Sequence, residues 1–395
     1  MEVTVRSEDT LWYYSQLYKV PLQLIMESNP KASTKNLKIL EKISIPGFQS
    51  VNYTMRAGET LAGLAASRNL PIDAIKLLNP SIKFEQLIGN ETILLPERIM
   101  IPYLPTTIPC GYKSLIEATS YLKQIYPFIT VSSIGSSVLE KPILEIRVGR
   151  GAKKIHMNAS FHANEWITTL VLIHLLNNYL LAITNGTPLR GVDSMKMYQN
   201  VELSLVPMVN PDGVNLVLYG PPLEQKEMTI KINENQDDII HWKANIRGVD
   251  LNNQFPAKWE IEKQRKLPKS PAPRDYPGKE PLTESEAITM AELVKRNSFD
   301  CIVAFHTQGE EFYWGYEGHE PPEAEAIAKE FERVSGYQAI RYVDSHAGFK
   351  DWFIQEFKRP GFTIELGRGI NPLPLSMFND IYKRAEGIFV AAMQL

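Results

Sequence analysis

A chain of 395 residues with 44% hydrophobic and 22% charged residues has ordinary globular composition, which excludes a disordered or fibrous protein and leaves room for roughly two to four domains. Lys and Arg number 42 against 45 Asp and Glu, a net charge of −3, so phosphate-driven nucleic-acid binding across the surface is not expected. The two cysteines, Cys110 and Cys301, cannot frame a disulfide scaffold or an all-cysteine metal site, and any metal must be held mainly by His, Asp and Glu.

The first ten residues lack the apolar core of a secretion signal, so the chain is expected to stay in the cytoplasm. Residues 1–47 and 51–98 then read as two copies of one unit. Shifting the sequence by 50 positions places Thr4 on Thr54, Arg6 on Arg56, Thr10 on Thr60, Asn29-Pro30 on Asn79-Pro80, Leu37 on Leu87 and Pro46 on Pro96. Each copy predicts a short strand, a helix capped by Thr10 or Thr60, and a second helix with Pro21 or Pro71 in its first turn. Asn-Pro ends that helix, because the residue before Pro is driven out of the α region, and a last strand follows.

This βααβ pattern resembles the LysM domain. Tyr53-Thr54-Met55-Arg56-Ala57-Gly58-Glu59-Thr60-Leu61, Asn79-Pro80 and Ile93-Leu94-Leu95-Pro96 carry the likeness, and the first copy departs from it with Glu8 where the second has Gly58. The resemblance implies binding to N-acetylglucosamine-containing glycans such as peptidoglycan or chitin.

Residues 99–110 contain three prolines, Pro102, Pro105 and Pro109, and read as a linker. Residues 111–395 are long enough for one large core. Strands are expected over 143–148, 154–159, 201–208, 301–306 and 361–366. Helices are expected over 166–183, 283–296, 321–334 and 376–393, with a Thr283/Glu286 capping box on the second. The 166–183 stretch carries His174, Asn177 and Asn178 and reads as a buried helix rather than a membrane span. Asn210-Pro211-Asp212-Gly213 reads as a turn. Alternating strands and helices predict an α/β domain with a mixed or mostly parallel sheet covered on both faces. Ligands of such sheets sit at the carboxyl ends of strands, where residues 160–165, 210–213, 306–311 and 365–369 fall.

Those ends carry the chemistry. His162-x-x-Glu165 at a strand-to-helix corner presents two side chains to one side, as two ligands of one metal need. His306 closes a very apolar strand and there must be paired, ligated or at the rim. Two His and one Glu leave a position for water, the composition of a catalytic zinc site. Glu365, a carboxylate in an apolar strand, fits a general base with a raised pKa.

Together with Gly248-Val249-Asp250-Leu251-Asn252, Asn210-Pro211-Asp212-Gly213 and Thr363-Ile364-Glu365-Leu366, these pieces stand in an order that resembles the zinc carboxypeptidases of the metallocarboxypeptidase A superfamily. The resemblance implies one Zn2+ in the domain, held by His162, Glu165 and His306, with Glu365 as catalytic base and Asp250 orienting His162. It also exposes departures. Asn253, beside Asn252, stands where the family has the Arg that clamps a terminal carboxylate, and an amide gives no charge-assisted bidentate clamp. Lys243, after Trp242, stands where an Arg polarises the scissile carbonyl, with Arg247 as the other candidate. In the loop 341–348 that precedes Glu365, the proton donor is His346 or Tyr342, with His346 preferred.

The whole chain resembles the bacterial γ-D-glutamyl-L-diamino acid endopeptidases, with Phe161-His162-Ala163-Asn164-Glu165-Trp166, Phe305-His306-Thr307-Gln308-Gly309-Glu310 and Lys350-Asp351-Trp352-Phe353-Ile354 as the closer match. That implies hydrolysis of the amide between D-Glu and meso-diaminopimelate or Lys in peptidoglycan stem peptides. It also implies a link to sporulation and muropeptide turnover; the chain then either acts on imported fragments or is released when a sporulating cell lyses and associates with the wall. Glu310 and Glu311 are then candidates for binding a substrate ammonium. The alternatives are a conventional carboxypeptidase, against which Asn253 speaks, and a non-catalytic peptidoglycan-binding protein.

Overall fold

The computed structural model describes residues 1–34, 36–84 and 90–395; Leu87 of the repeat match lies outside them. The chain divides into two compact units. The first comprises residues 1–103, 119–130 and 177–195, and the second residues 104–118, 131–176 and 196–395.

In the first unit each repeat is one antiparallel strand pair with two short helices between its strands. Strands β1 (Glu2–Thr4) and β2 (Lys42–Ser44) flank helices Leu11–Tyr18 and Leu22–Ser28. Strands β3 (Phe48–Thr54) and β4 (Thr92–Arg98) flank helices Leu61–Ala66 and Ile72–Leu78. The repeated residues make repeated contacts. Thr10 Oγ1 accepts from Tyr13 N at 3.0 Å and Thr60 Oγ1 from Gly63 N at 3.1 Å, so both caps form. Pro21 and Pro71 sit one step earlier than expected, at the N-cap positions themselves. Asn29 donates to Ile25 O and Ser44 O and accepts from Ser44 N, all at 2.8 Å; Asn79 does the same with Ile75 O, Leu94 O and Leu94 N. One amide therefore ends a helix and clips the last strand to it. Glu8 (φ 67°) and Gly58 (φ 85°) adopt the same left-handed turn, which glycine enters without a side-chain penalty and glutamate does not.

The remaining strands are β5 (Thr130–Ser136), β6 (Pro142–Val148), β7 (Lys153–Ala159), β8 (Val201–Val206), β9 (Cys301–His306), β10 (Glu311–Tyr313), β11 (Gln338–Ile340) and β12 (Gly361–Glu365). They form an eight-stranded mixed sheet in the order β11-β10-β12-β9-β7-β8-β6-β5. The central strands β12, β9, β7 and β8 run parallel, and β10 and β6 run antiparallel to their inner neighbours β12 and β8. An aromatic core of Phe161, Phe255, Phe349 and Trp352 packs beneath the carboxyl ends of β7 and β9, with ring centroids 5.2–6.3 Å apart. One helical stretch among the described residues is long and apolar enough to cross a membrane, residues 163–185, but 94% of its most apolar window is buried inside the protein.

Two further local expectations change. Asn210-Pro211-Asp212-Gly213 opens a helix, Pro211–Tyr219: Asn210 Oδ1 caps Gly213 N at 2.9 Å and Pro211 takes the first helical position. The Thr283/Glu286 capping box does not form, because Thr283 N and Thr283 Oγ1 both donate to Gln254 Oε1, at 2.8 and 3.1 Å. The helix starts at Ser285 instead.

Candidate active site

The ligand corner is set by the end of β7. Ser160 adopts φ 50°, a left-handed conformation that a non-glycine residue holds only when its surroundings fix it. They do: Ser160 N donates to Thr168 Oγ1 at 2.9 Å, and Ser160 Oγ lies 3.0 and 2.8 Å from Thr168 Oγ1 and Thr169 Oγ1. The turn that follows carries His162 and Glu165. Ala163 N donates to Lys243 O at 3.0 Å, and Asn210 Nδ2 bridges Phe161 O and Ala244 O. Gly213 closes the packing, since a Cβ there would meet Ala163 Cβ at 2.8 Å. β9 ends on His306, and β12 ends on Glu365, directly paired with His306 in the parallel register.

His162 Nδ1 lies 2.8 Å from Glu165 Oε1, and His306 Nδ1 lies 3.0 Å from both Glu165 Oε2 and His162 Nδ1. All three side chains are buried. His162 donates from Nε2 to Asp250 Oδ1 at 3.2 Å, which leaves Nδ1 with a lone pair toward the carboxylate and the other ring. Three electron-pair donors thus converge within 4.8 Å of one another, and a cation resolves that arrangement. Two imidazole nitrogens and one carboxylate suit zinc with a position left for water. The His306 ring lies nearly parallel to Phe161 at 6.0 Å, and its buried Nε2 has no hydrogen-bond partner among the described residues.

The charges around these groups pull the carboxylates apart. Burial pushes Glu165 up, but its interactions with the His162 and His306 rings outweigh it and hold Glu165 far below its ordinary range. Glu365 goes the other way, to about 8, through desolvation and then the Glu165 charge. Asp250 and Lys243 share a charge pair, Nζ to Oδ2 at 3.1 Å, that overcomes the burial of both and keeps each ionised.

The fold therefore brings together His162, Glu165, His306, Asp250, Lys243 and Glu365. Glu311 joins them: it pairs with Glu365 across β10 and β12, and its carboxylate accepts from Tyr313 OH at 2.5 Å. Glu310, in a left-handed turn, is anchored through its backbone N to Glu365 O at 2.9 Å. Asn253 is buried, and Asn252 Oδ1 is taken by Phe349 N at 3.0 Å, fixing the start of helix Phe349–Phe357. Arg247, Tyr342 and His346 have partners elsewhere. Arg247 lies 3.8 Å from Glu284, Tyr342 OH donates to Glu320 at 2.8 Å, and His346 Nδ1 lies 3.1 Å from Tyr316 OH. The sequence gives no role to His241 and Asn371, and none beyond the matching motifs to Asn164 and Thr307; the four cross-tie the loops of the site. Asn164 Nδ2 reaches His241 O at 3.4 Å, His241 Nδ1 donates to Asn371 O at 2.8 Å, and Thr307 and Asn371 bond reciprocally at 2.7 and 3.0 Å. They are ordinary loop polars, and only their proximity to His162, Lys243, His306 and Glu365 in sequence pointed to them.

A mixed α/β sheet with a His-Glu-His set at its central strand ends defines a metallopeptidase scaffold. Residues 115–381 match the zinc carboxypeptidase family, and residues 3–46 and 53–96 match the LysM domain. The chain is 49% identical over 397 aligned positions, covering all of both proteins, to the Gamma-D-glutamyl-L-diamino acid endopeptidase 1 of Lysinibacillus sphaericus. It also resembles the solved carboxypeptidase A of Helicoverpa armigera, with a TM-score of 0.56 and 16% identity over 88% of this chain and 98% of that one. Bovine thrombin-activatable fibrinolysis inhibitor is alike in fold to the same degree, TM-score 0.56 and 16% identity over 73% and 97% of the two chains. The chain belongs to the zinc carboxypeptidase family and carries two LysM domains at its amino end.

Proposed function

We propose that this protein hydrolyses the γ-D-glutamyl–diamino acid amide of peptidoglycan stem peptides, with its LysM domains holding the glycan strand. The substrate class rests on the full-length likeness to an endopeptidase named for that bond. The chemistry rests on one observation: Glu365, at the end of β12, stands in register with His306 of the convergent His162–Glu165–His306 set.

Those three residues would hold one zinc ion, which when bound supplies Lewis acidity toward a carbonyl and acidifies water. Glu365 takes a proton from water as it attacks the amide carbonyl and returns it to the departing amine. Lys243, rather than Arg247, supplies positive charge beside the reacting carbonyl, because its ammonium sits with Asp250 among the ligand residues. Asp250 keeps His162 in the tautomer with a free Nδ1.

The test incubates the zinc-loaded protein with L-Ala-γ-D-Glu-meso-diaminopimelate, its D-Ala-extended and C-terminally amidated forms, and α-linked peptides, with products read by mass spectrometry. Cleavage of all γ-linked forms is expected. Loss of cleavage on amidation, or preference for α-linked peptides, makes the protein a carboxypeptidase. No cleavage of any peptide, with glycan binding intact, makes it a wall-binding protein.

A further inference from the structure

A stem peptide cut at the γ-linkage carries free carboxylates close to the scissile amide, one on the glutamyl residue and others on a diaminopimelate. The site offers them little positive charge. Its loops and strand ends carry Glu165, Asp250, Glu310, Glu311 and Glu365 against Lys243, Arg247 and Arg368. Lys243 is already paired with Asp250 at 3.1 Å and lies 3.8 Å from Asp275. Arg247 faces Glu284. Asn253, at the family's clamp position, has no charge to give.

Arg368 differs from both other cations in having no ion-pair or hydrogen-bond partner among the described residues, and like Arg247 it is exposed. It lies three residues past Glu365, so its Cα is within about 11 Å of that residue's. Its loop is held on all sides. Leu366 N donates to His306 O at 2.9 Å, Gly309 N and Glu310 N donate to Gly367 O at 2.7 and 3.0 Å, and Gly367 N donates to Tyr337 OH at 3.2 Å. Beyond Arg368, Asn371 is locked to Thr307 and His241. Gly367 allows this path: it has φ 64°, and a Cβ there would meet Ile381 and Leu373 at 2.8 Å. An uncompensated guanidinium on a fixed loop loses little freedom on engaging a carboxylate, and its planar fork matches one. Ile370, 77% exposed beside it, offers an apolar contact to the same ligand.

We propose that Arg368 is the specificity residue for this reaction, binding a free carboxylate that flanks the scissile amide and replacing the clamp that Asn253 cannot form. The inference rests on the reaction proposed above. Steady-state kinetics of Arg368→Ala and Arg368→Lys in the full zinc-loaded chain test it with three tripeptides: the free-carboxylate form, one amidated at the glutamyl α-carboxyl, and one amidated at the diaminopimelate carboxyl next to the scissile nitrogen. Arg368→Ala should raise KM for the free form roughly ten- to hundredfold, with kcat nearly unchanged and zinc content intact. Arg368→Lys should recover part of the loss. If the effect of Arg368→Ala vanishes on the glutamyl amide, the glutamyl carboxylate is the ligand; if it vanishes on the diaminopimelate amide, the diaminopimelate carboxylate is. An Arg368→Ala effect equal on all three substrates, or absent from all, overturns the assignment while leaving the reaction standing. Failure of the wild type to cut any of them overturns the reaction, and the Arg368 assignment falls with it.

Discussion

Two clusters of ionisable groups, one in each compact unit, follow opposite logics. In the LysM pair, Arg6 of the first repeat binds Asp9 of its own repeat and both oxygens of Asp73 in the second, at 2.7–3.1 Å, and Tyr13 OH donates to Asp73. Donors there meet acceptors. Asp73 is held below its ordinary value, first by the Arg6 hydrogen bonds; Asp9 is too, with Arg6 outweighing its burial. In the peptidase unit, acceptors face acceptors, and two carboxylates of one site, Glu165 and Glu365, are pushed in opposite directions. Matched charges hold a structure together. Mismatched ones suit a bound cation, and they separate the acid–base roles of neighbouring groups.

The largest effect should come from removing a ligand. His306→Ala is expected to bring hydrolysis to background and bound zinc well below one per chain; a variant with full metal and activity would take His306 out of the site. Glu365→Gln removes the carboxylate and leaves the His-Glu-His set intact. It should keep zinc and lose about 10²–10⁴-fold in kcat, and a loss under about tenfold argues against a proton-transfer role. Asp250→Asn should cost about 10–100-fold in activity or zinc affinity, because it loosens His162 without removing it.

How much of this contrast was legible beforehand follows residue type. The repeat showed because the same Thr, Asn and Pro do the same capping work twice. The His162, Glu165, His306 and Glu365 set showed because ionisable residues at apolar strand ends are costly without a purpose. The Arg6–Asp73 bond did not: it joins residues 67 apart whose own surroundings are unremarkable loop and helix surface. Lys243 and Arg247 could not be ranked from sequence, since only the fold shows which one shares Asp250. The stretch 307–313 gave no sign of β10, a three-residue strand too short for an alternating pattern to register.

Glu286 separates burial from charge crowding. It is buried with no ion-pair partner among the described residues and accepts from Val138 N at 3.3 Å, and desolvation raises it from 4.5 to about 7. A carboxyl whose folded pKa is raised binds its proton more tightly in the native state. The native state thus pays nothing for it below pH 4.5, and the cost grows until about pH 7. Glu286→Gln should therefore stabilise the protein more at pH 8 than at pH 5.5, by about 2 kcal/mol in urea unfolding. An equal effect at both values would mean that burial alone does not shift a carboxylate here, and the difference between the two clusters would need another cause.

The smallest effect belongs to the balanced cluster. Asp73 is 30% exposed and Arg6 40%, so solvent screens their attraction, and Asp73→Ala should cost only about 1–2 kcal/mol despite losing three hydrogen bonds. The sign with pH is opposite to that of Glu286. Because the folded state depresses the Asp73 pKa below 3.8, the stabilisation is present above that value and is lost as pH falls through the lower folded one. Wild type and variant should thus differ at pH 7 and converge in acid, as read by unfolding midpoints. Hydrolysis of the soluble tripeptide should not change, since this cluster includes none of the residues that converge on the metal site. A variant that unfolds as expected but also loses tripeptide turnover would show that the repeats shape the catalytic site, and the two clusters could no longer be treated as independent.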